Sequence, residues 1–361
     1  MFKLFISKES LTDLFIDHAE DRSEWLKVIQ NQRKLFLMNK QIDIETDLAN
    51  PNSMLFMYLT ASGKTSDFLD PAPLSLSEIQ SDHSRVLEHP CGVFLLDITE
   101  NEANKIQDDY GEICRSTRNL NTCPLTSFNH RRPDVGEKNY DWVQLFSPLS
   151  IVPSNSLILI DRNLFSNNSG DINLGIQNVR DILDALLPHH KMLCDYHVAI
   201  IIGSENGRIN SKLSLEDLSK KLNITKSELG REYSIIMSLL VVDEGDKVVY
   251  AVTHNRRIIT NYLICSVDNG LAAFRSGESR YEQNIYIDSL FSGDLTGKSD
   301  TPLKSHKQKI DKLKEEVLDY CKWKANPNNR FASGMNISAQ IEKLNHRLLK
   351  SPPQQSCTLN L

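Results

Sequence analysis

No stretch of the chain runs 18 apolar residues without a break, and the N-terminal MFKLFISKESLTDLF carries no long apolar segment after a basic start. Nothing in it reads as a membrane anchor or an export signal. No two cysteines form a C-x-x-C pair: Cys91, Cys114, Cys123, Cys194, Cys265, Cys321 and Cys357 are scattered, which argues against a zinc site and against a disulfide framework. The thiols read as reduced and the protein as cytoplasmic. A complete phosphate-binding P-loop is missing too. Gly63-Lys64-Thr65 follows the strand-like run MLFMYL, but Tyr58 stands where the spacing requires the first glycine. Pro71 and Pro73 forbid the helix whose N-terminus would hold the phosphate. Neither a metal nor a cofactor is expected.

What is present is a globular composition, with 40% hydrophobic and 24% charged residues over 361 positions. That length suits two domains and a terminal extension. Formal charge is −6 and unevenly spread: from Phe291 onward 12 Lys and Arg face 7 Asp and Glu, so the tail is +5 and the first 290 residues are −11. Contact with nucleic acid or another anionic surface should therefore be local.

The patterning predicts an α/β fold. In residues 1–150, FKLFI and GVFLLDI read as strands, SLTDLFIDHAE and SEWLKVIQNQRKLFLMN as helices with Ser10 and Ser23 at their N-caps, and Thr99 with Glu102 as a capping box. Asp97 at the end of its strand is how α/β nucleases of the PIN type present a carboxylate, and also how any α/β crossover begins. No companion carboxylates can be placed beside it, so it reads as structural. His130, Arg131 and Arg132 ahead of Pro133 form an exposed basic knuckle. In residues 151–290, SLILID, a helix from Asn173 to Leu187, HVAIIIG, a short helix capped by Ser214, and β-rich runs at Ser234 to Asp243 and Val248 to Val252 give the order β, α, β, α, β, β of a sandwich. Residues 291–361 should form a basic helical extension with a disordered end, its helices near Lys304 to Lys322 and Ser338 to Leu349. Ile310, Leu313, Val317, Tyr320 and Cys321 make one apolar stripe that packs on the body or on a partner, leaving Lys304, Lys307, Lys314 and Lys322 for an acidic partner or a phosphate backbone.

The stretch richest in chemistry is THNRRIITNYLICSVDNGLAAF, Thr253 to Phe274. His254 and Arg256, two apart on a strand, would leave the same face of the sheet and grip one phosphate, the guanidinium bidentately and the imidazole by attack or donation. Arg257 adds a second cation. A purely structural role would instead pair Arg256 with Asp161 at a neighbouring strand end.

In their order and spacing, SLILID with Asp161, the helix after it, HVAIIIG, THNRRIITN and VDNGLAAF resemble the phospholipase D-like domain found at the C-terminus of microtubule-interacting-and-trafficking proteins and in bacterial relatives, over about Ser156 to Phe274. Active members of that fold use H-x-K-x4-D. On this chain His254 matches, Arg256 stands for the lysine and Asn261 falls on the aspartate, so the motif is degenerate. A second histidine copy is lacking, His189-x-Lys191 being off by one in its aspartate and in a loop. The resemblance implies a non-catalytic domain that binds anionic membranes or partners; the reading taken for this chain is a binding protein for phosphate-bearing ligands, nucleic acid above all, in a bacterial multi-component system with protein partners. The alternatives are a homodimeric, metal-independent nuclease or phosphodiesterase with His254 as nucleophile, and a scaffold subunit docking through its tail.

Overall fold

The computed structural model describes residues 3–17, 24–30, 32, 34–120, 141–147, 152–165, 172–204, 214–243, 256–275, 278–279, 285–289, 311–313, 315 and 346–349. The chain is α/β, built on two main sheets. The first is all parallel: β1 (Lys3–Ile6), β2 (Leu35–Leu37), β3 (Leu69–Pro71), β4 (Gly92–Leu96) and β5 (Ile113–Ser116) lie in the order β3-β2-β1-β4-β5. Helices α1 (Lys8–Asp17), α2 (Glu24–Gln30), α3 (Gln41–Ala49) and α4 (Met54–Ser62) make the crossovers to β2 and β3. Helices α5 (Leu76–Ser81) and α6 (Glu100–Tyr110) make those to β4 and β5.

Strand alternation sorts the side chains of this sheet. Phe5, Phe94, Leu96 and Cys114 pack with Ile79 of α5 and Ala103 and Ile106 of α6. On the other face Leu4, Ile6, Val93, Leu95 and Ile113 pack with Leu11, Trp25, Val28, Ile44, Leu55 and Tyr58 from α1 to α4.

The second sheet is mixed. It contains β6 (Ser156–Ile160), β7 (Tyr196–Ser204), β8 (Ile235–Asp243), β9 (Arg257–Thr260), β10 (Leu263–Val267) and β13 (Ile285–Ser289) in the order β13-β10-β9-β6-β7-β8. Strands β6, β7 and β8 are parallel, β9 runs against β6, and β10 against β9 and β13. A separate ribbon pairs β11 (Phe274–Arg275) with β12 (Glu278–Ser279). The outer face of the second sheet is covered by α7 (Trp142–Phe146), α8 (Ile172–Leu186) and α9 (Leu215–Glu228), through Trp142, Val179, Ile182, Leu218 and Leu222. Thus α7 serves the second sheet although it precedes position 150.

The inner face of the second sheet shares a core with the first. Ile158, Ile160, Ala199, Ile201, Ile259 and Ile264 join Leu4, Ile6, Val93 and the α1 to α4 residues in one apolar cluster. Gly111, the α6 C-cap, lies at this junction: its φ is 68°, and a Cβ there would come within 2.4 Å of the Ser154 carbonyl oxygen. The same cluster contains Leu313, Leu348 and Leu349, so at these positions the body itself supplies the groove for the tail.

Local readings differ from this structure in five places. The run SEWLKVIQNQRKLFLMN is helical at Glu24–Gln30, but its LFL is strand β2, paired with β1. The run MLFMYLTAS is helix α4, capped by Ser53, whose hydroxyl accepts from the Phe56 N–H, and ended by left-handed Gly63. Gly63-Lys64-Thr65 therefore follows a helix C-terminus, where exposed carbonyls repel a phosphate. Ser10 lies inside α1, and Ser7 takes the capping role, its Oγ accepting from Ser10 N–H at 3.1 Å. Ser214 does cap its helix, but that helix extends to Glu228. At the tail, residues 311–313 and 315 are helical, whereas 347–349 form a turn and not the end of a helix.

Candidate functional site at the edge of the second sheet

Strands β6, β7 and β8 end on the edge from which β9 begins, so Asp161 and Arg162 leave β6 beside Arg256 and Arg257. Arg257 is registered against Ile160 and Ser266, and the Val267 N–H donates to the Arg256 carbonyl at 3.1 Å. Arg256 thus sits just before β9 and not within it. The carboxyl ends of parallel strands are where open α/β sheets receive ligands.

Asp161 is 1% exposed and organises this edge. Its Oδ1 accepts from Asn163 N–H at 2.9 Å and its Oδ2 from Leu271 N–H at 2.6 Å. Arg256 Nε lies 4.0 Å from Oδ1, while its Nη1 donates to the carbonyl of Asp268. Burial pushes the Asp161 carboxyl up, and the two backbone donors and Arg256 pull it back down. Gly270, at φ 116°, closes the loop against this carboxylate: a Cβ would stand 3.1 Å from Oδ2. The VDNG segment is therefore folded around Asp161, and Arg256 is hydrogen-bonded to the Asp268 carbonyl with the Asp161 carboxyl 4.0 Å from its Nε. Its side chain keeps 22% of its surface exposed.

Asn261 is elsewhere. It follows β9 at the opposite end, roughly 15 Å along the strand from Arg256, and is fully buried. Its Oδ1 accepts from Asn155 and Ser156 N–H, both at 3.1 Å, and its Nδ2 donates to Glu112 Oε1 and Asn155 Oδ1, both at 3.0 Å. Both polar atoms of this amide are used, Oδ1 within the second sheet and Nδ2 partly in the link to Glu112 of the first. Grouping Asn261 with Arg256 in one ligand site is thus corrected: the side chain is a structural link.

The remaining candidates separate as follows. His254, Arg131, Arg132, Lys304, Lys307, Lys314 and Lys322 lie outside the described residues, as do Ser23 and the run Val248 to Val252. His189 and Lys191 are in the loop before β7, at the end of the sheet opposite Arg256, and His189 Nε2 is 3.4 Å from Arg231 Nη2. Asp97 is exposed and paired with Arg118 at 2.7 Å. Among the described residues no group of three or more His, Cys, Asp or Glu is placed to hold a metal ion. At the crevice between β1 and β4, where the strand order of the first sheet reverses, hydroxyls bond one another. There Ser7 Oγ donates to Ser10 Oγ at 3.0 Å, and Ser10 Oγ and Thr117 Oγ1 share a hydrogen bond at 3.2 Å.

Arg162 and the fold of 268–271 around Asp161 were not apparent from the sequence. The available signal was Asp161 itself, an acid directly after five apolar strand residues. No helix among the described residues is long and apolar enough to cross a membrane. No family model matches the chain, and no curated protein is significantly similar to it.

Proposed function

We propose that this chain is a non-catalytic accessory protein that binds a phosphate-bearing ligand, nucleic acid above all, at the arginine edge of its second sheet, and works with protein partners in a bacterial cytosol. The observation that carries this reading is the tethered Arg256. A guanidinium already held by the Asp268 carbonyl, with the Asp161 carboxyl 4.0 Å away, loses less freedom on binding than an untethered one, and its planar fork matches two phosphate oxygens. Arg257 and Arg162 stand on the adjoining strand ends. The resemblance to a phospholipase D-like domain supports the ligand class, and the diversion of Asn261 into the sheet junction supports the absence of hydrolysis.

Filter binding of labelled DNA and RNA to Arg256→Ala tests it. A charge-assisted contact contributes about 1.5–3 kcal/mol, so affinity should drop roughly 10- to 100-fold, and the salt dependence should flatten by about one phosphate contact. His254→Ala should weaken binding less, since an unperturbed imidazole is mostly neutral above about pH 6.5. Unchanged binding by Arg256→Ala, or cutting of oligonucleotides in EDTA that His254→Ala abolishes, would retire the reading.

A further inference from the structure

Between the two sheets lies a closed polar cluster that the arginine edge does not use. Its centre is Glu112, immediately before β5 and 0% exposed. Oε1 accepts from Asn155 Nδ2 at 2.8 Å and from Asn261 Nδ2 at 3.0 Å. Oε2 lies 2.5 Å from the Tyr262 hydroxyl oxygen. That hydroxyl is also 2.6 Å from the Gly92 carbonyl oxygen and accepts from Ile113 N–H at 3.0 Å. Glu112, Gly92 and Ile113 belong to the first sheet; Tyr262, Asn155 and Asn261 flank β9 and β6 of the second.

The protons in this cluster can be counted. A phenol has one hydrogen to donate, yet two oxygens sit within 2.6 Å of it, and neither a carbonyl nor a carboxylate brings a hydrogen of its own. Both contacts are hydrogen bonds only if Glu112 is a carboxylic acid. Tyr262 then donates to Gly92 and accepts from Ile113 N–H and from Glu112. Removing the Glu112 proton to solvent forces the phenol to choose: it turns to Oε2 and leaves Gly92 without that donor, or stays and leaves two unshared oxygens 2.5 Å apart.

We propose that the two sheets of this protein are joined through a proton, Glu112 being held as a neutral acid that donates Oε2–H to Tyr262, and that loss of this proton as pH rises loosens the junction. Each charged or titratable neighbour is consistent with this. Burial holds the Cys194 thiol up at about 11 and raises Cys114 and Tyr262 further, so all three stay neutral. Cys91, in the turn before β4, adds a backbone hydrogen bond to Glu112. Among the described residues the facing cation is Arg347 of the C-terminal segment, engaged with the carbonyls of Asn155 and Asp195, both at 3.3 Å. Desolvation pushes Glu112 up to about 7, against the pull of the Tyr262 and Asn155 contacts and of Arg347. The sign follows. With a folded value above the unfolded one, the contribution of Glu112 to stability is fully present below about pH 4.5 and is lost as pH rises through 7, by up to about 300-fold in the folding equilibrium.

Infrared spectroscopy of the full chain tests this directly, as the carbonyl stretch of a protonated carboxyl is separate from that of a carboxylate. Expected is a protonated-acid band at pH 6 that titrates away near neutrality and is absent from Glu112→Gln. That variant replaces Oε2–H by an amide N–H, so its unfolding temperature should lose this decline with pH. If Glu112→Gln does not fold, Tyr262→Phe, which removes the oxygen that receives the proton, should shift the band instead. A spectrum with no such band at pH 6, or one unmoved by both substitutions, overturns the proposal. So would a decline with pH that Glu112→Gln retains.

Discussion

Replacing Asn261 by aspartate writes the chain as H-x-R-x4-D, the spelling closest to an active phospholipase D motif, and the structure says that the change should damage the protein instead of activating it. Asn261 gives its Nδ2 hydrogens to Glu112 Oε1 and Asn155 Oδ1 at 3.0 Å each, and an ionised aspartate would offer only acceptors to those two oxygens. The less costly response is to keep the introduced carboxyl protonated, so that one donor survives. Holding that proton from an ordinary value of about 3.9 up to pH 7 costs about 4 kcal/mol, and the second lost hydrogen bond about 1 kcal/mol more. About 5 kcal/mol is a large share of the roughly 5–15 kcal/mol that stabilises a folded domain. Because the folded value of the introduced carboxyl is raised, the penalty grows above its unfolded pKa and shrinks to about 1–2 kcal/mol at pH 4. Urea unfolding of Asn261→Asp and the parent chain at pH 7 and pH 4 measures both numbers. A variant within about 1 kcal/mol of the parent at pH 7, or one that gains EDTA-resistant, His254-dependent cleavage, would refute this account of Asn261.

Two further outcomes follow from the same geometry. Gly270→Ala must take a φ of 116° that L residues rarely adopt and bring a methyl to 3.1 Å from Asp161 Oδ2. It should cost about 1–3 kcal/mol in thermal unfolding and weaken nucleic acid binding as Arg256 loses its tether. His346 is buried with Nε2 3.1 Å from the carbonyls of both Leu157 and His197, and among the described residues no acceptor faces its Nδ1. Burial lowers it to about 3, so its neutral form is favoured and stability falls as pH drops below about 6.5, by about 2 kcal/mol at pH 5. Protection of the Leu349 amide, which donates to the His346 carbonyl, should fall over that range once the exchange rate is corrected for its intrinsic pH dependence, and a protection factor unresponsive to acid would exclude the effect.

The central strands β4, β6 and β7 were legible because they are buried on two faces and read as largely apolar runs, GVFLL, SLILI and YHVAIIIGS, whereas LFL of β2 was read as helix and β3, β5, β10 and β13 carry too short or too mixed a pattern to have been read. Helix α4 was not, since MLFMYLTAS is apolar all round and periodicity cannot tell such a run from a strand; the preceding Ser53 was the usable sign. The pairing of Arg256 with Asp161 was available from the sequence as the structural option, and the two do meet, at 4.0 Å. What the sequence could not convey is the junction. Tyr262 and Glu112 are separated by 150 positions, Asn155 and Glu112 by 43, and no local pattern marks either pair. Aligning Asn261 on a motif aspartate drew it toward the arginines because spacing along a chain does not say which end of a strand a residue occupies.

The seating of residues 346–349 bears on how the protein is made. His346 contacts the Leu157 carbonyl across 189 positions, and Leu348 and Leu349 enter a core otherwise built from residues synthesised earlier. At ribosomal speeds of about 5–20 residues per second, β6 emerges roughly 10–40 s before the residues that complete its surroundings. Throughout that interval the nascent sheets expose the apolar face that Leu348 and Leu349 will cover, which makes this the period when a chaperone has most to protect.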